Sequence, residues 1–348
     1  GDLRMSLDSG RPRARSATLA LVVFSVLLCP KASPAEEMAA PGFALRNHNP
    51  FLQIFGLPSL QSATLTPAGE AHFEISLDLA NNADFGETDT ENLFIDGESY
   101  FVNVSIRRRM RDWIELGVDV PIVAHNGGFM DSAIKSWHDT FGMSNTKRRG
   151  PDDELLFLYQ QQEATLYELN SSASGIGDIQ LTAAMPIRQV AEHGYALTVR
   201  TSLKLPTGDE QELRGSGAAD LAAGLYVANT ASLFNRPLGL SAFAGVILLG
   251  DGDVLGDIQE SAVPFAGIAG SWQVAERFSI TTQLQAQGAY FDSDIDEIGG
   301  GTVQLGVGFG YRPRGSNRCL TFAVVEDVQA DATTDFALHF SFGNRCAR

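Results

Sequence analysis

One pair of side chains near the end of the chain has the residue types of a nucleophile and its base. His339 and Ser341 are separated only by Phe340, and in an extended strand residues two apart point to the same face. A histidine that takes the proton of a serine creates a nucleophile for acyl transfer, the chemistry of lipid hydrolases. The value of this interpretation depends on where the strand lies, because the pair must reach its substrate.

Other arrangements that carry chemistry are weaker. The remaining histidines show no spacing typical of zinc ligands, and they are His48, His72, His125, His138 and His193. The stretch Gly215-Ser216-Gly217 lacks the lysine and the strand-to-helix context of a phosphate-binding loop. We therefore expect no metal, no cofactor and no enzymatic activity.

Polar and charged side chains alternate with apolar ones on several segments. If the apolar set faces outward, the other set faces an enclosed interior, where ion pairs between neighbouring strands satisfy the charges. The sequence then predicts a lumen lined, and in part gated, by Arg107, Arg109, Glu115, Asp119, Arg200 and Lys204. The interior would be polar, of mixed sign and partly uncrowded.

The elements that position these residues repeat with period two. About twelve segments of roughly ten residues alternate apolar and polar positions, the number and length expected of an outer-membrane barrel. They run 73–79, 100–106, 114–122, 179–187, 195–205, 221–227, 240–248, 263–272, 280–290, 303–311, 320–324 and 336–342. The sequence predicts an all-β fold, a transmembrane antiparallel up-and-down β-barrel.

The connections between these segments alternate in length, as in barrels with long outer loops and short periplasmic turns. We expect outer loops at 81–98, 125–176, 206–219, 249–262, 291–302 and 328–334, and turns at 111–112, 188–194, 228–239, 274–278 and 313–318. His339 and Ser341 would then lie near the periplasmic end of the last strand. Because an outer-leaflet lipid is far from that end, a lipid hydrolase is the least favoured function.

The net charge of the chain excludes one class of partner. The 348 residues carry 25 Lys and Arg against 42 Asp and Glu, a formal charge of −17. Proteins that bind nucleic acid rely on basic patches, which are missing from this sequence. The acidic residues concentrate in the expected outer loops, where solvation is favoured over attraction of cations as their role.

The first residues are typical of a secretory signal peptide. Arg11, Arg13 and Arg15 precede an apolar run at 19–28, and small residues follow up to Ala35. We predict that residues 1–35 comprise this peptide and upstream residues, with cleavage before Glu36 or, as the alternative, near Ala39 or Ala40. Residues 36–70 would form a periplasmic or plug segment, and 71–348 an outer-membrane barrel.

Two cysteines remain after that cleavage. Cys319 opens one expected strand and Cys346 follows the last one. Because both fall at the periplasmic rim of neighbouring strands, and the exported environment is oxidising, we predict a disulfide between them.

The longest connection contains a helical pattern. Met130, Ala133, Ile134, Trp137 and Phe141 have the spacing of one helix face, and Gly142 follows as a stop. We expect a short amphipathic helix in this outer loop. Its role is either a packed anchor, which is favoured, or a gate that places Trp137 and His138 nearest a solute.

Two stretches resemble an uncharacterised family of proteobacterial outer-membrane proteins. They are Asn49-Pro50-Phe51-Leu52-Gln53-Ile54-Phe55-Gly56-Leu57-Pro58, and Gly127-Gly128-Phe129 with Asp131, Ile134, Trp137-His138-Asp139 and Phe141-Gly142. A third stretch, 204–209, followed by Gly215-Ser216-Gly217 and Asp220, is similar to that family and to barrels linked to uptake of aromatic or hydrophobic compounds. The resemblance implies a membrane barrel and, by analogy only, transport.

Together these observations predict a passive pore or uptake channel for small solutes, hydrophobic or aromatic ones included. The alternative is a barrel that conducts nothing and serves a structural or surface-interaction role. The expected partners are outer-membrane lipid and lipopolysaccharide and the barrel assembly machinery, which recognises an aromatic-rich last strand such as 336–342.

Overall fold

The computed structural model describes residues 42–128, 154–188, 195–329, 332 and 336–344. Within these residues, fifteen strands form one antiparallel sheet. The first eight are β1 Ala71–Glu87, β2 Glu91–Arg111, β3 Ile114–Asn126, β4 Leu156–Gln161, β5 Ala164–Leu169, β6 Ala173–Ile176, β7 Gln180–Arg188 and β8 Tyr195–Lys204. The other seven are β9 Asp220–Leu233, β10 Arg236–Leu248, β11 Ala262–Ala275, β12 Phe278–Gln287, β13 Thr302–Tyr311, β14 Cys319–Gln329 and β15 Phe336–Gly343.

Twelve of these strands close into a ring. Each of them pairs with its neighbour along the chain, except that β3 pairs with β7, and the last strand returns to the first. In that seam Glu74 lies opposite Gly343 and Asn81 opposite Phe336. Closure leaves no free edge within the ring, which confirms the predicted barrel and its twelve segments.

Three short strands lie outside the ring. The β4–β5 hairpin extends the sheet beside the first residues of β2, 91–96, and β6 pairs with residues 122–125 of β3. The strands β1 and β2 have 17 and 21 residues, well beyond the roughly ten that cross a bilayer. One side of the barrel wall is therefore taller at the end that carries the long loops.

Apolar side chains cover the outside of the ring. Leu116, Ile122, Leu225, Val307 and Phe309 are each more than 40% exposed. Their neighbours along the strands face the interior, and Glu115, Val123 and Tyr226 among them are buried. An exposed apolar belt of this extent is unstable in water and fits a lipid surface. Aromatic side chains, among them Trp113, Phe234 and Phe278, are exposed where the strands meet the short turns.

Two expected connections are wrong in extent. The first long loop, placed at 81–98, is a three-residue turn at 88–90, because both strands continue above the belt with polar residues. The turn placed at 228–239 is Phe234-Asn235, both with positive φ (50° and 59°). That geometry is typical of a two-residue type I′ hairpin turn, which lets β9 and β10 pair down to their ends.

Helical structure is sparse in the described residues. It consists of a single turn, α1 Asp296–Gly299, and two 3₁₀ turns at Glu210–Glu212 and Gly256–Ile258. No helix among these residues is long and apolar enough to cross a membrane. The signal peptide and the expected amphipathic helix fall outside the described residues, and both remain predictions.

Candidate functional site

The interior of the barrel holds a segment of its own chain. Residues 42–66 precede β1, and hydrogen bonds join them to the strands and loops of the barrel at several points along their length. The amide of Phe43 donates to Gln283 at mid-barrel, Asn49 donates to the carbonyl of Glu297 at the long-loop end, and Thr66 donates to Glu115 near the short-turn end. The segment, called here the lumen segment, therefore runs toward the long loops and back again.

The lumen segment is attached to the wall by hydrogen bonds that involve side chains, and its described backbone does not pair with the backbone of any strand. The described backbone-to-backbone hydrogen bonds of residues 42–70 stay within those residues, at Asn49–Leu52, Asn49–Gln53, Leu52–Phe55 and Pro67–Glu70. Against the wall its carbonyls at Ser62 and Ala63 accept from Arg200 and Thr198. The segment adds no strand to the sheet.

Small residues make room for the lumen segment. A Cβ on Gly306 of β13 would lie 2.4 Å from Leu45 Cδ1, so the packing there needs glycine. Gly42 has φ +133°, and a Cβ on it would lie 2.6 Å from Gln283 Oε1. The sequence predicts that the glycines of β13 leave empty space in the interior. At Gly306, Leu45 of the lumen segment fills that space.

A buried ion cluster fastens the turn of the segment. Lys204 Nζ lies 2.8 Å from Asp178 Oδ2 and 3.1 Å from Asp220 Oδ2. It also donates to Ser216 Oγ and, over 3.0 Å, to the carbonyl of Ile54. Asp220 in turn accepts from the Gly56 amide. This group, called here the Lys204 centre, joins two strands, the β8–β9 loop and the lumen segment.

The predicted ion pairs on β2 and β3 are present only in part. Arg107 Nη2 lies 3.0 Å from both oxygens of Asp119, in adjacent strands. Glu115 pairs with Arg200 over 3.2 Å, across β7. Arg109 does not reach Glu115. It lies at the short-turn rim beside the exposed Asp112, at 3.3 Å.

One wall of the interior is apolar, which differs from the polar lumen that we expected. Tyr226, Phe243 and Phe265 on three consecutive strands point inward and form a row, with ring centroids 5.5 and 6.0 Å apart. They join a buried cluster with Phe55 and Tyr290, whose rings stack at 4.8 Å. Long-loop residues extend that cluster and fill the upper interior: Leu213, Val254, Leu255, Phe291, Ile295 and Ile298.

A cavity of about 140 Å³ lies at the other end of the interior. Its mouth is formed by the short-turn residues Glu276, Arg277 and Arg312, and its walls by polar side chains such as Glu74 and Thr281. We call it the vestibule. The lumen segment contributes Gly42–Ala44, Arg46 and Ser59–Ser62 to its inner end, so this end is open and the long-loop end is filled.

The His339–Ser341 pair is not assembled for catalysis. His339 Nδ1 bonds Asp78 Oδ1 over 2.6 Å, and its Nε2 is buried without a hydrogen-bond partner. Ser341 Oγ instead bonds Thr321 Oγ1 over 2.7 Å. His48 of the lumen segment lies 3.7 Å from the same Asp78. The arrangement fastens a segment and offers no nucleophile to a substrate.

Several predicted site residues lie beyond the described chain. Trp137 and His138 are among them, and so is Cys346. Cys319 begins β14, and its register partner on β15 is Gly343. The disulfide and the gate therefore stay predictions. Among the described residues no group of three His, Cys, Asp or Glu side chains could hold a metal ion.

Sequence reasoning missed two parts of this interior. Arg46 lies in a segment without periodicity, so nothing marked it as a lumen residue. Asp178 lies two residues before β7, with the parity of the inward-facing Gln180 and Thr182, and Asp220 is the first residue of β9. That parity was the available signal for a partner of Lys204, because a buried ammonium needs a carboxylate.

Comparison with solved structures identifies the fold. The COG4313 outer membrane channel from Pseudomonas putida F1 matches with a TM-score of 0.51 at 14% identity, over 81% of this chain and 97% of that one. The Ralstonia pickettii toluene transporter TbuX gives 0.41 at 11% identity over 82% and 92%. The β domain of the Bordetella autotransporter BrkA gives 0.43 at 11% over 79% and 100%.

The sequence comparisons give a family without an assigned activity. No curated protein matches this sequence. Residues 18–345 match a family described as a protein of unknown function, DUF3187. Since that match covers nearly the whole chain, this transmembrane β-barrel belongs to the DUF3187 family.

Proposed function

We propose that the protein is a passive outer-membrane channel for small solutes, closed in this conformation by the lumen segment. The observation that carries the proposal is the way the interior is filled. Twelve strands enclose a space that their own side chains leave partly empty, and a separate segment, held by side-chain contacts, occupies it. A barrel that serves only as a scaffold has no need of an insert that is separable from its wall.

The outer surface of the ring supports a location in the outer membrane. The exposed apolar belt and the aromatic residues near the short turns suit a bilayer, and we assign the short turns to the periplasm and the long loops to the outside. Lipid and lipopolysaccharide would then surround the ring, with the signal peptide directing export and the assembly machinery inserting β15. A Cys319–Cys346 disulfide would lie at the periplasmic rim.

The test is conductance of the refolded mature chain in planar bilayers, with liposome swelling for uncharged solutes. Lys204→Met frees the turn of the lumen segment and should raise conductance above that of the wild type. A second variant without residues 127–142 tests the gate assigned to Trp137 and His138. Heat-modifiable gel migration, typical of folded barrels, verifies that each variant has folded.

A non-conducting barrel is the second candidate. It is favoured by the buried cluster at the long-loop end, where Phe55, Tyr290 and Phe291 pack together. A folded Lys204→Met variant and a folded loop-deletion variant that both pass neither ions nor sugars would establish this candidate and remove the channel. Aromatic or hydrophobic solutes are added in the same conductance experiment, to find whether they reduce the ion current. The wall formed by Tyr226, Phe243 and Phe265 suits such solutes.

A further inference from the structure

We infer that the route through the channel follows the charged side of the lumen, past Arg46 and then Arg214, and that it carries small water-soluble solutes. This inference rests on the proposed function. It replaces a route along the aromatic wall of β9–β11, and it assigns a gating role to two arginines.

Three hollows lie in sequence on the charged side. The vestibule is the first, and a small cavity of about 20 Å³, room for about one water molecule, is the second. Both are lined by Arg46, Asn103 and Asp119. The third is a depression on the β8–β9 loop, formed by residues 207–211 and Arg214. Arg214 also lines the small cavity, so one arginine stands at each of the two boundaries.

Arg46 is weakly held at the inner boundary. Its guanidinium lies 5.3 Å from the ring centre of Phe101, and it makes no hydrogen bond to another described residue. The nearby Asp119 is already bound to Arg107. A cation–π contact stabilises by about 0.5–2 kcal/mol. The carboxylates of Asp119 and Asp78 also attract the guanidinium, but no hydrogen bond to a described residue has to break when this side chain moves aside.

Unused acceptors surround the same boundary. Asn103 Oδ1 and Gln53 Oε1 are buried and have no hydrogen-bond partner in the described chain. Asn103 lines both cavities, and Gln53 lines the smaller one. A solute or water that passes Arg46 would therefore meet a donor on one side and acceptors on the other, which suits polar and not apolar cargo.

Arg214 is held more firmly at the outer boundary. Its Nη1 donates to the carbonyl of Ile176 over 2.8 Å, and its Nε lies 2.7 Å from Glu212 Oε2. Asp209 lies 3.4 Å from Nη2. Both carboxylates are more than a third exposed, so these pairs are screened by water and salt and can exchange.

The aromatic wall offers no comparable path in the described structure. Tyr226 and Phe265 belong to the packed cluster, and Tyr226 contacts the lumen segment through the Ser59 carbonyl at 3.5 Å. Opening a route there would require removal of the whole segment and of the loop residues above it. On the charged side the hollows already exist, and Arg46 and Arg214 each line the two hollows that meet at their boundary.

Single-channel recording in planar bilayers under a salt gradient tests the route. The variants are Arg46→Ala, Arg214→Ala and both together, with Arg108→Ala as the control, an exposed arginine of β2 that lines none of the three hollows. We expect the double variant to conduct several-fold more than the wild type and its reversal potential to move toward cations, because two positive charges leave the path. Arg108→Ala should behave as the wild type.

Two further variants separate failure of the route from failure of the channel. The proposed route is overturned, and the channel stands, if Lys204→Met conducts while the arginine variants match the wild type. The same conclusion holds if Phe243→Ala opens the pore and the arginine variants do not. If every folded variant is silent, Lys204→Met included, both proposals fall.

Discussion

The ammonium of Lys204 lies 3.1 Å from the carboxylate of Asp220, with both side chains about 1% exposed. Lys204 also contacts Asp178 and the Ile54 carbonyl, so a single cation binds two buried carboxylates and holds the lumen segment. Burial of a carboxylate without a partner is costly, and removing one member of a buried pair typically costs about 3–5 kcal/mol.

Lys204→Met should therefore lower the free energy of unfolding by about that amount. It should also expose the lumen segment to protease, because the bond to Ile54 is lost. Urea unfolding and limited proteolysis in detergent measure the two effects. Arg236→Ala, at the exposed end of β10, is the matched control. An unchanged urea midpoint together with unchanged cleavage would show that the Lys204 centre does not hold the lumen segment in place.

A second prediction concerns the fit between Gly306 and Leu45. Gly306→Ala should destabilise by about 1–3 kcal/mol, because the added methyl group collides with Leu45. Leu45→Ala in the same chain should recover most of that loss, which gives a coupling energy in a double-mutant cycle. For comparison, a Cβ on Gly310 meets only the flexible Ser279 hydroxyl. Equal losses for Gly306→Ala with and without Leu45→Ala would contradict the packing described.

A third prediction uses a tyrosine on the hairpin outside the ring. Burial raises the pKa of Tyr159 to about 12, with its hydrogen bond to Glu91 adding in the same direction and that to Ser293 opposing it. The unfolded chain has the ordinary value near 10. The folded protein thus binds more protons between pH ~10 and ~12, so stability is present below this window and falls as pH rises through it.

Replacing the hydroxyl tests this window. Tyr159→Phe should flatten the decline in stability between pH ~10 and ~12, and should remove one phenolate that appears late in an absorbance titration. A decline of the same size in both proteins would assign it to other groups.

A fourth prediction concerns the two late cysteines. A Cys319–Cys346 disulfide should contribute about 3.5 kcal/mol by closing the loop between the two residues. Reduction should lower the urea midpoint of the wild type and leave Cys319→Ser unaffected. Free thiols in the unreduced, denatured mature protein would disprove the bond.

Prediction from sequence succeeded where contacts are local in the chain. The alternation of apolar residues defines the twelve strands, and the tight turn after Arg111 sets the register that brings Arg107 to Asp119. The partner of Glu115 was missed because Arg200 lies two strands away, beyond any pattern in a single hairpin.

The interior was harder for two physical reasons. On β9–β11 alanine, glycine and aromatic residues occupy both faces, so alternation does not say that Phe243 and Phe265 point inward. The lumen segment contains turns but no helix or strand, and its place depends on side chains such as Gln283 and Glu115 that are far away in the sequence.

The way the lumen segment is attached determines how it would respond to a pull. Gly42 lines the vestibule and Thr66 lies near the short-turn end, and the described backbone of the segment shares no ladder with the barrel. A force applied at Gly42 would break the Phe43–Gln283 bond first and the deeper contacts one after another. The insert would peel away instead of shearing, and the β1–β15 seam would stay intact.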